Sequence, residues 1–399
     1  MGLTVQAYRN TVLQDTAPYN CLVLMARANY LARKAGMSAD SVKLGIVGLG
    51  RWAKVLTRAA AKSEKLQIVA GYSRSEEKRH AFEQELGVRA APDMNALLSD
   101  PQIQGVILTV PNEQHLPVAA QVAKSHKHVY TEKPIASTLE DGLQIAALER
   151  QYGITVTVGH SARLMAGIRQ IRAAIDSGEL GRVAFIEANF SNERALELTP
   201  KTWRWYKDKA PGGPLSQLAI HQFDVLHYLG GEVLEASSMA SKLSPVGAEV
   251  DDQSMTLLKF ADGKVGYVGS CWTSPGVFAV RVFGSQGLMH YEIDFDAWDT
   301  PGKLHETSTL YIQRGKSGYG RREELKVPAS DMFCTELELF AESCRTGKSN
   351  ELSAQNGNVA VAMVNAALRS IEKNGQAVPL VEVLEHARSR VAEKSRHVA

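Results

Sequence analysis

Cysteine is scarce in this chain, with four residues in 399. Cys21, Cys271, Cys334 and Cys344 include no C-x-x-C pair and make no disulfide framework, so each reads as a small apolar residue in a reducing cytoplasm. Long apolar runs are also missing, and none is long enough to span a bilayer. Neither sign of charge dominates: 45 Lys and Arg stand against 43 Asp and Glu, a net +2. The signs are interspersed without a basic block, which argues against nucleic acid and membrane surfaces as partners. A secretory signal is not visible either. The apolar run 21–26 is short, far from Met1, and followed by Arg27, Arg33 and Lys34. There is no internal repeat, low-complexity tract or long linker.

What is present starts at Lys43, in KLGIVGLGRWAKVLTRAAA. Leu44, Ile46 and Val47 read as a buried strand, and a helical pattern opens after Gly50. Gly48, Gly50 and Ala53 between them have the spacing G-x-G-x-x-A. Gly48 makes a tight turn, Gly50 lets backbone approach a pyrophosphate, and Ala53 lets helix and strand pack closely. The free N–H groups at the helix start then hold the anion. The strand before and the helix after are the context that makes a glycine trio a dinucleotide site rather than an ordinary turn.

The preceding stretch, 1–40, differs from the rest. Asp15 is its only acid before Asp40, which would suit an amphipathic targeting segment. The simpler expectation is that Met37, just ahead of the first strand, is the start and that the residues before it are a translated upstream segment.

From Val42 strands and helices alternate. Strands are expected at 66–71, 105–110, 128–131 and 154–158, and helices at 76–86, 112–125 and 138–152. That alternation predicts a parallel sheet covered on both faces, a Rossmann domain over 41–160. Beyond Gly159 a helix over 168–177 leads into strands at 183–189, 254–260, 265–271, 278–283 and 288–293, several of them alternating apolar and polar. Ala261-Asp262-Gly263 marks a hairpin between two of these. With amphipathic helices at 333–344 and 358–373, residues 161–380 read as an α+β domain on a large, mostly antiparallel open sheet, and 381–399 as a tail.

Cofactor choice is read at the end of the second strand, where a carboxylate about 20 residues past the motif would hold a ribose 2′-OH. Here stand Tyr72-Ser73-Arg74-Ser75, with no acid before Glu76. Ser73 and Arg74 suit a 2′-phosphate and favour NADP. If Arg74 instead stacks over the adenine, NAD remains usable.

Several features in order resemble the Gfo/Idh/MocA family of glucose–fructose oxidoreductase and inositol dehydrogenase. They are the GLGRWA loop, Thr109-Val110-Pro111-Asn112 with His115, Glu132-Lys133-Pro134, Gly178-Glu179-Leu180-Gly181-Arg182-Val183, and Pro211-Gly212-Gly213-Pro214-Leu215 leading to His221 and Asp224. The resemblance runs from about Val42 to about Leu380. It implies hydride transfer between a nicotinamide cofactor and a hydroxyl or carbonyl of a sugar, cyclitol or cyclic diol. It also implies a cofactor held by Gly48, Gly50, Arg51, Trp52, Pro111, Asn112, His115, Glu132 and Lys133. Lys133 would reach the reacting oxygen, with His221 beside it. The family's aspartate position is Gln217 here, and the glycine between is Ala219.

Oxidising an alcohol needs a proton acceptor with a pKa near the working pH. His221 has one without perturbation, whereas Lys133 needs burial or a nearby cation. Gln217 cannot exchange a proton and can only orient substrate. In a helical segment positions 217 and 221 share a face. His160 and Arg163 follow a strand's carboxyl end and read as substrate contacts or packing in equal measure. Trp203-Arg204-Trp205-Tyr206 reads equally as an aromatic wall for a ring or as a packed loop. His221, Asp224 and His227 could suggest a metal, but the histidines fall on different helix faces, and no metal is expected. His126 and His128 read as solvated. An NAD-dependent glycosidase-like hydrolase and a non-catalytic dinucleotide sensor remain alternatives to the oxidoreductase. An antiparallel sheet left open on one face predicts a homodimer or homotetramer.

Overall fold

Apolar β-branched runs separated by helix-length segments form the first sheet of the computed structural model, which describes residues 41–298, 300–315 and 320–398. Its strands are β1 (Val42–Val47), β2 (Leu66–Tyr72), β3 (Arg89–Ala90), β4 (Gly105–Leu108), β5 (His128–Thr131) and β6 (Val156–Val158). They lie in the order β3-β2-β1-β4-β5-β6, all parallel. The crossovers are α1 (Arg51–Ala60), α2 (Glu76–Leu86), α3 (Met94–Leu98), α4 (His115–Lys124) and α5 (Leu139–Tyr152). Local chemistry sets their ends. The Ser75 and Thr138 hydroxyls accept from Lys78 N–H and Asp141 N–H, and left-handed Gly87 and Gly153 stop α2 and α5. The Met37 start and Cys21 lie outside the described residues.

The second half comprises α6 (Ala166–Asp176), β7 (Val183–Ser191), α7 (Ile220–Gly230), β8 (Val233–Ser241), β9 (Gln253–Phe260), β10 (Val265–Cys271), β11 (Val277–Gly284), β12 (Gly287–Glu292), β13 (Thr309–Arg314), β14 (Arg322–Glu324), α8 (Met332–Thr346), α9 (Ala354–Glu372), β15 (Val378–Pro379) and α10 (Leu380–Val398). The sheet order is β14-β13-β12-β11-β7-β10-β9-β8-β15, and every pairing but β7 with β10 is antiparallel. Strand β8 escapes sequence reading because Glu235, Ser237, Ser238 and Ser241 break its apolar pattern. In β9, Ser254, Thr256, Leu258 and Phe260 face inward. Met255 and Leu257 point the other way and are 61% and 59% exposed.

The chain then returns to the first sheet. Helix α8 packs on α1, where Trp52 meets Phe333 edge-on at 5.5 Å, and its Phe340 and Cys344 fill the space under Gly105. Helix α9 packs on α5, and Asn358 donates to the Gly142 carbonyl at 3.0 Å. The stretch expected to be a tail is helix α10. Leu380, Val383 and Ala387 recur at helical spacing and are buried where α10 meets α5 and α9.

Candidate active site

The turn after β1 is built as the glycine spacing requires. Gly48 has φ +94°, and a Cβ there would lie 2.8 Å from the Thr109 backbone, so only glycine fits. Around Gly50 nothing lies within 4 Å of an added Cβ, and no side chain caps the N-terminus of α1. With Ala53 fully buried behind it, this is an open backbone cradle for an anion, and it fits the pyrophosphate of a dinucleotide. Arg51 opens the helix beside it. Trp52 is used otherwise, against Phe333.

At the end of β2, Ser73 is half-buried and Arg74 exposed. Arg79, a residue the sequence reading passed over, braces this corner. Its Nη1 donates to the Ser73 carbonyl at 2.7 Å, and its guanidinium lies 5.9 Å from the Tyr72 ring centre. It is the fourth residue of α2, seven past the end of β2.

His115 does not face a cofactor. It is fully buried, with Nδ1 3.1 Å from Pro134 O and 3.2 Å from Ile135 O, and Nε2 3.1 Å from Val110 O. Its role is to tie the Pro111–Asn112 turn to the Glu132–Lys133–Pro134 turn, so that both walls of the cofactor cleft keep register.

Lys133 leaves the carboxyl end of β5. It keeps part of its surface open to the cleft while protein surrounds the ammonium on most sides. Burial pulls its pKa down to about 8; Glu132 opposes this, and Arg204 and Arg194 add to it. Burial raises Glu132 to about 7, with Lys133 opposing. Behind it Tyr130 Oη lies 3.3 Å from Glu132 Oε1, and Glu336 of α8 is fully buried with its carboxyl raised well above the usual range by burial and by Glu132. Glu336 was missed, although a lone acid in the buried stripe of Phe333, Leu337 and Phe340 is a visible signal.

The histidine comes from the glycine-rich segment. Gly213 has φ +53°, and a Cβ there would fall 2.0 Å from the Asp251 carbonyl oxygen, so the segment can pass only as glycine. The following turn, Leu215–Ala219, is π-helical rather than α-helical, and runs directly into α7. Gln217 is half-buried on that turn, its Nε2 3.4 Å from Ser216 Oγ. His221 follows at the start of α7, against Phe190 at 5.5 Å and Trp298 at 6.4 Å. Burial first, then Lys133 and His160, push its pKa well below the usual histidine range. The expected use of His221 at its unperturbed pKa therefore does not hold: the imidazole is neutral.

His160 is 2% exposed, and burial takes its pKa to about 4 despite Asp224. Its charge and those of Lys133 and His221 act on one another, so the fold brings these three together. Arg163 it places elsewhere. Its Nε donates to Asp224 Oδ2 at 2.8 Å, its Nη2 to Oδ1, and its Nη1 to Glu351 O at 3.1 Å. Of the two readings of Arg163, packing is the one its contacts support, because this buried pair leaves no face for substrate. Burial alone would raise the Asp224 pKa, but Arg163 and His160 outweigh it and hold it low. His227 Nδ1 turns to Gly231 O at 2.9 Å. Trp203 is 42% exposed and carries the Arg204 guanidinium 4.1 Å over its ring.

An anion cradle at a β1 turn and a lysine of lowered pKa at the same sheet edge, beside neutral histidines, define a nicotinamide-dependent oxidoreductase. The chain belongs to the Gfo/Idh/MocA family. Residues 42–160 match the oxidoreductase family's NAD-binding Rossmann fold, and 168–290 match a GFO/IDH/MocA C-terminal domain. A proposed NADPH-dependent oxidoreductase from Desulfitobacterium hafniense DCB-2 is 36% identical with a TM-score of 0.84, covering 87% of this chain and 100% of that one. Myo-inositol 2-dehydrogenase of Thermotoga maritima is 22% identical over 362 residues, 86% of this chain and 100% of its own. Scyllo-inositol 2-dehydrogenase (NAD(+)) of Bacillus subtilis is 26% identical over 304 residues, 74% of this chain and 83% of its own.

Proposed function

We propose that the enzyme oxidises a secondary hydroxyl of a sugar, cyclitol or cyclic diol, or reduces the matching carbonyl, with NADP preferred over NAD. The observation that carries this is the Lys133 amine, brought to about 8 at the sheet edge where the glycine cradle ends. A nicotinamide dinucleotide bound on Gly48, Gly50 and the start of α1, with Ser73 and Arg74 at its ribose end, supplies the hydride acceptor. Lys133 takes the hydroxyl proton as a neutral amine, and returns it as ammonium in the reverse direction. His221, held neutral, donates or accepts a hydrogen bond at the same oxygen. Gln217 orients a neighbouring hydroxyl, and Trp203 walls the cleft. Arg74, exposed on a corner braced by Arg79, supports the NADP preference.

The relatives' names support the cyclitol and sugar class. Among the described residues no helix is long and apolar enough to cross a membrane, in keeping with a cytoplasmic enzyme. The open face of the second sheet, with Met255 and Leu257 outward, supports a homodimer or homotetramer; a monomer mass by light scattering would count against it. The test of the reaction is a polyol, sugar and cyclic-diol panel with NADP+ or NAD+, read by absorbance of the reduced nicotinamide. At least one member should reduce NADP+ faster than NAD+. Dinucleotide binding without turnover on any member would favour the sensor, and sugar release without net reduction would favour the hydrolase.

A further inference from the structure

Four aromatic rings from three parts of the second sheet gather beside His221. Phe190 of β7 and Phe278 of β11 are cross-strand partners with their rings 5.3 Å apart, and both are buried. Phe295 and Trp298 come from the turn after β12 and stack on each other at 5.9 Å. Trp298 also meets Phe190 at 5.1 Å and Phe278 at 5.9 Å. Gly276, just ahead of β11, makes room for this turn, since a Cβ there would lie 2.1 Å from the Phe295 ring. A core cluster would hide all four rings. Here Phe295 and Trp298 stay half-buried, and Trp298 stands edge-on to the His221 imidazole at 6.4 Å and 87°. His221 Nδ1 is sealed in without a partner among the described residues, which leaves Nε2 to meet a ligand. The indole therefore borders the place where a substrate reaches His221. Trp203, by contrast, already carries the Arg204 guanidinium over its ring.

The polar side of the cleft is poorly furnished for a ring hydroxylated all round. Each hydroxyl taken from water needs a hydrogen-bond partner in return. Of the carboxylates nearby, Asp224 lies 3.8 Å from His160 but accepts from Arg163 through both its oxygens. Glu132 faces the Lys133 N–H and the Tyr130 hydroxyl, each at 3.3 Å. Asp294 and Asp296, on Trp298's own turn, are exposed, and Asp294 accepts from the Asp296 N–H. Position 217, where the family resemblance places an aspartate, holds a neutral amide. Lys133, His221 and Gln217 can serve two neighbouring hydroxyls. A more hydroxylated ring would also press hydroxyls on Trp298 and Phe295, whose rings give them no partner.

We infer that the substrate of the proposed reaction is a cyclic diol with an otherwise apolar ring, and that Trp298 selects it by covering that ring while Lys133 and His221 meet the hydroxyls. This rests on the oxidoreductase reading and narrows it to the least hydroxylated members of its substrate class. A flat indole of large area suits the C–H face of a ring, and removing that face from water is the favourable contribution.

The test uses the enzyme saturated with NADP+ and probes that share one carbon ring: cis- and trans-cyclohexane-1,2-diol against myo- and scyllo-inositol. At least one diol should bind more tightly by calorimetry, and be oxidised with a higher kcat/KM, by about tenfold or more over either inositol. Trp298→Ala should raise KM for that diol about tenfold with kcat little changed, and should shrink the gap to the inositols. Trp298→Phe should keep most of both. NADP+ should still raise the melting temperature of each variant, which separates a lost wall from a lost fold. If the alanine variant does not fold, Trp298→Leu stands in for it, with the same loss expected on a smaller scale. An inositol preferred to both diols, a gap that survives loss of the indole, or no diol binding to the NADP+-saturated enzyme would overturn the inference and leave the oxidoreductase reading standing. If NADP+ fails to stabilise the wild type, it is the oxidoreductase reading that falls.

Discussion

The cofactor cradle and the reacting cleft sit at one sheet edge but are built in opposite ways. The cradle is contiguous: Gly48 to Ala53 supply turn, approach and helix start within a few residues, and the proposed binding is through backbone. The cleft is assembled from β5, β6, the loop after β7 and the π turn before α7, and side chains do the work. A contiguous site is set by local sterics. An assembled one is set by what each side chain is buried against, and burial decides which groups carry protons.

The largest expected effect breaks the cleft and spares the cradle. Lys133→Ala should lose about a hundred- to ten-thousandfold in turnover, the range for one acid–base group, while NADP+ still raises the melting temperature. The second acts on the support beneath. Asp224→Ala leaves Arg163 buried without its partner and should cost about 3–5 kcal/mol of stability, read by chemical denaturation. The ribose end of the proposed cofactor site, after β2, comes third. Arg74→Ala should weaken NADP+ by roughly ten- to a hundredfold and leave NAD+ nearly unchanged; an unchanged ratio would refute the assignment. His221→Asn should lose about tenfold, because a neutral hydrogen-bonding imidazole is replaced by a neutral amide. Gln217→Asp, the mildest, should stay active and raise the His221 pKa, since a new carboxylate favours imidazolium.

The same contrast explains what the sequence disclosed. The Gly48–Ala53 motif and the parallel order of strands and helices were legible because period and spacing are local properties, and the Glu132-Lys133-Pro134 turn was legible through the family resemblance. The protonation of His221 was not. Burial first, and then Lys133 and His160, both distant in sequence, depress a histidine that looks poised near neutrality. His115 misled for the same reason: nothing in Val110-Pro111-Asn112 announces that three carbonyls will surround its ring. Arg163 pairs with Asp224 across 61 positions, a contact no spacing rule reaches. The tail became α10 because its apolar stripe packs on α5, α9 and β8, elements distant in sequence.

The central claim is that Lys133, rather than His221, holds the proton. It is tested by the pH dependence of kcat/KM for oxidation of the best panel substrate. A lysine lowered to about 8 is a base only above that pH, so the rate should climb through about pH 8 and level off. The same limb should persist in His221→Asn and vanish in Lys133→Ala. A limb near 8 that survives Lys133→Ala, or is lost in His221→Asn, would contradict the account.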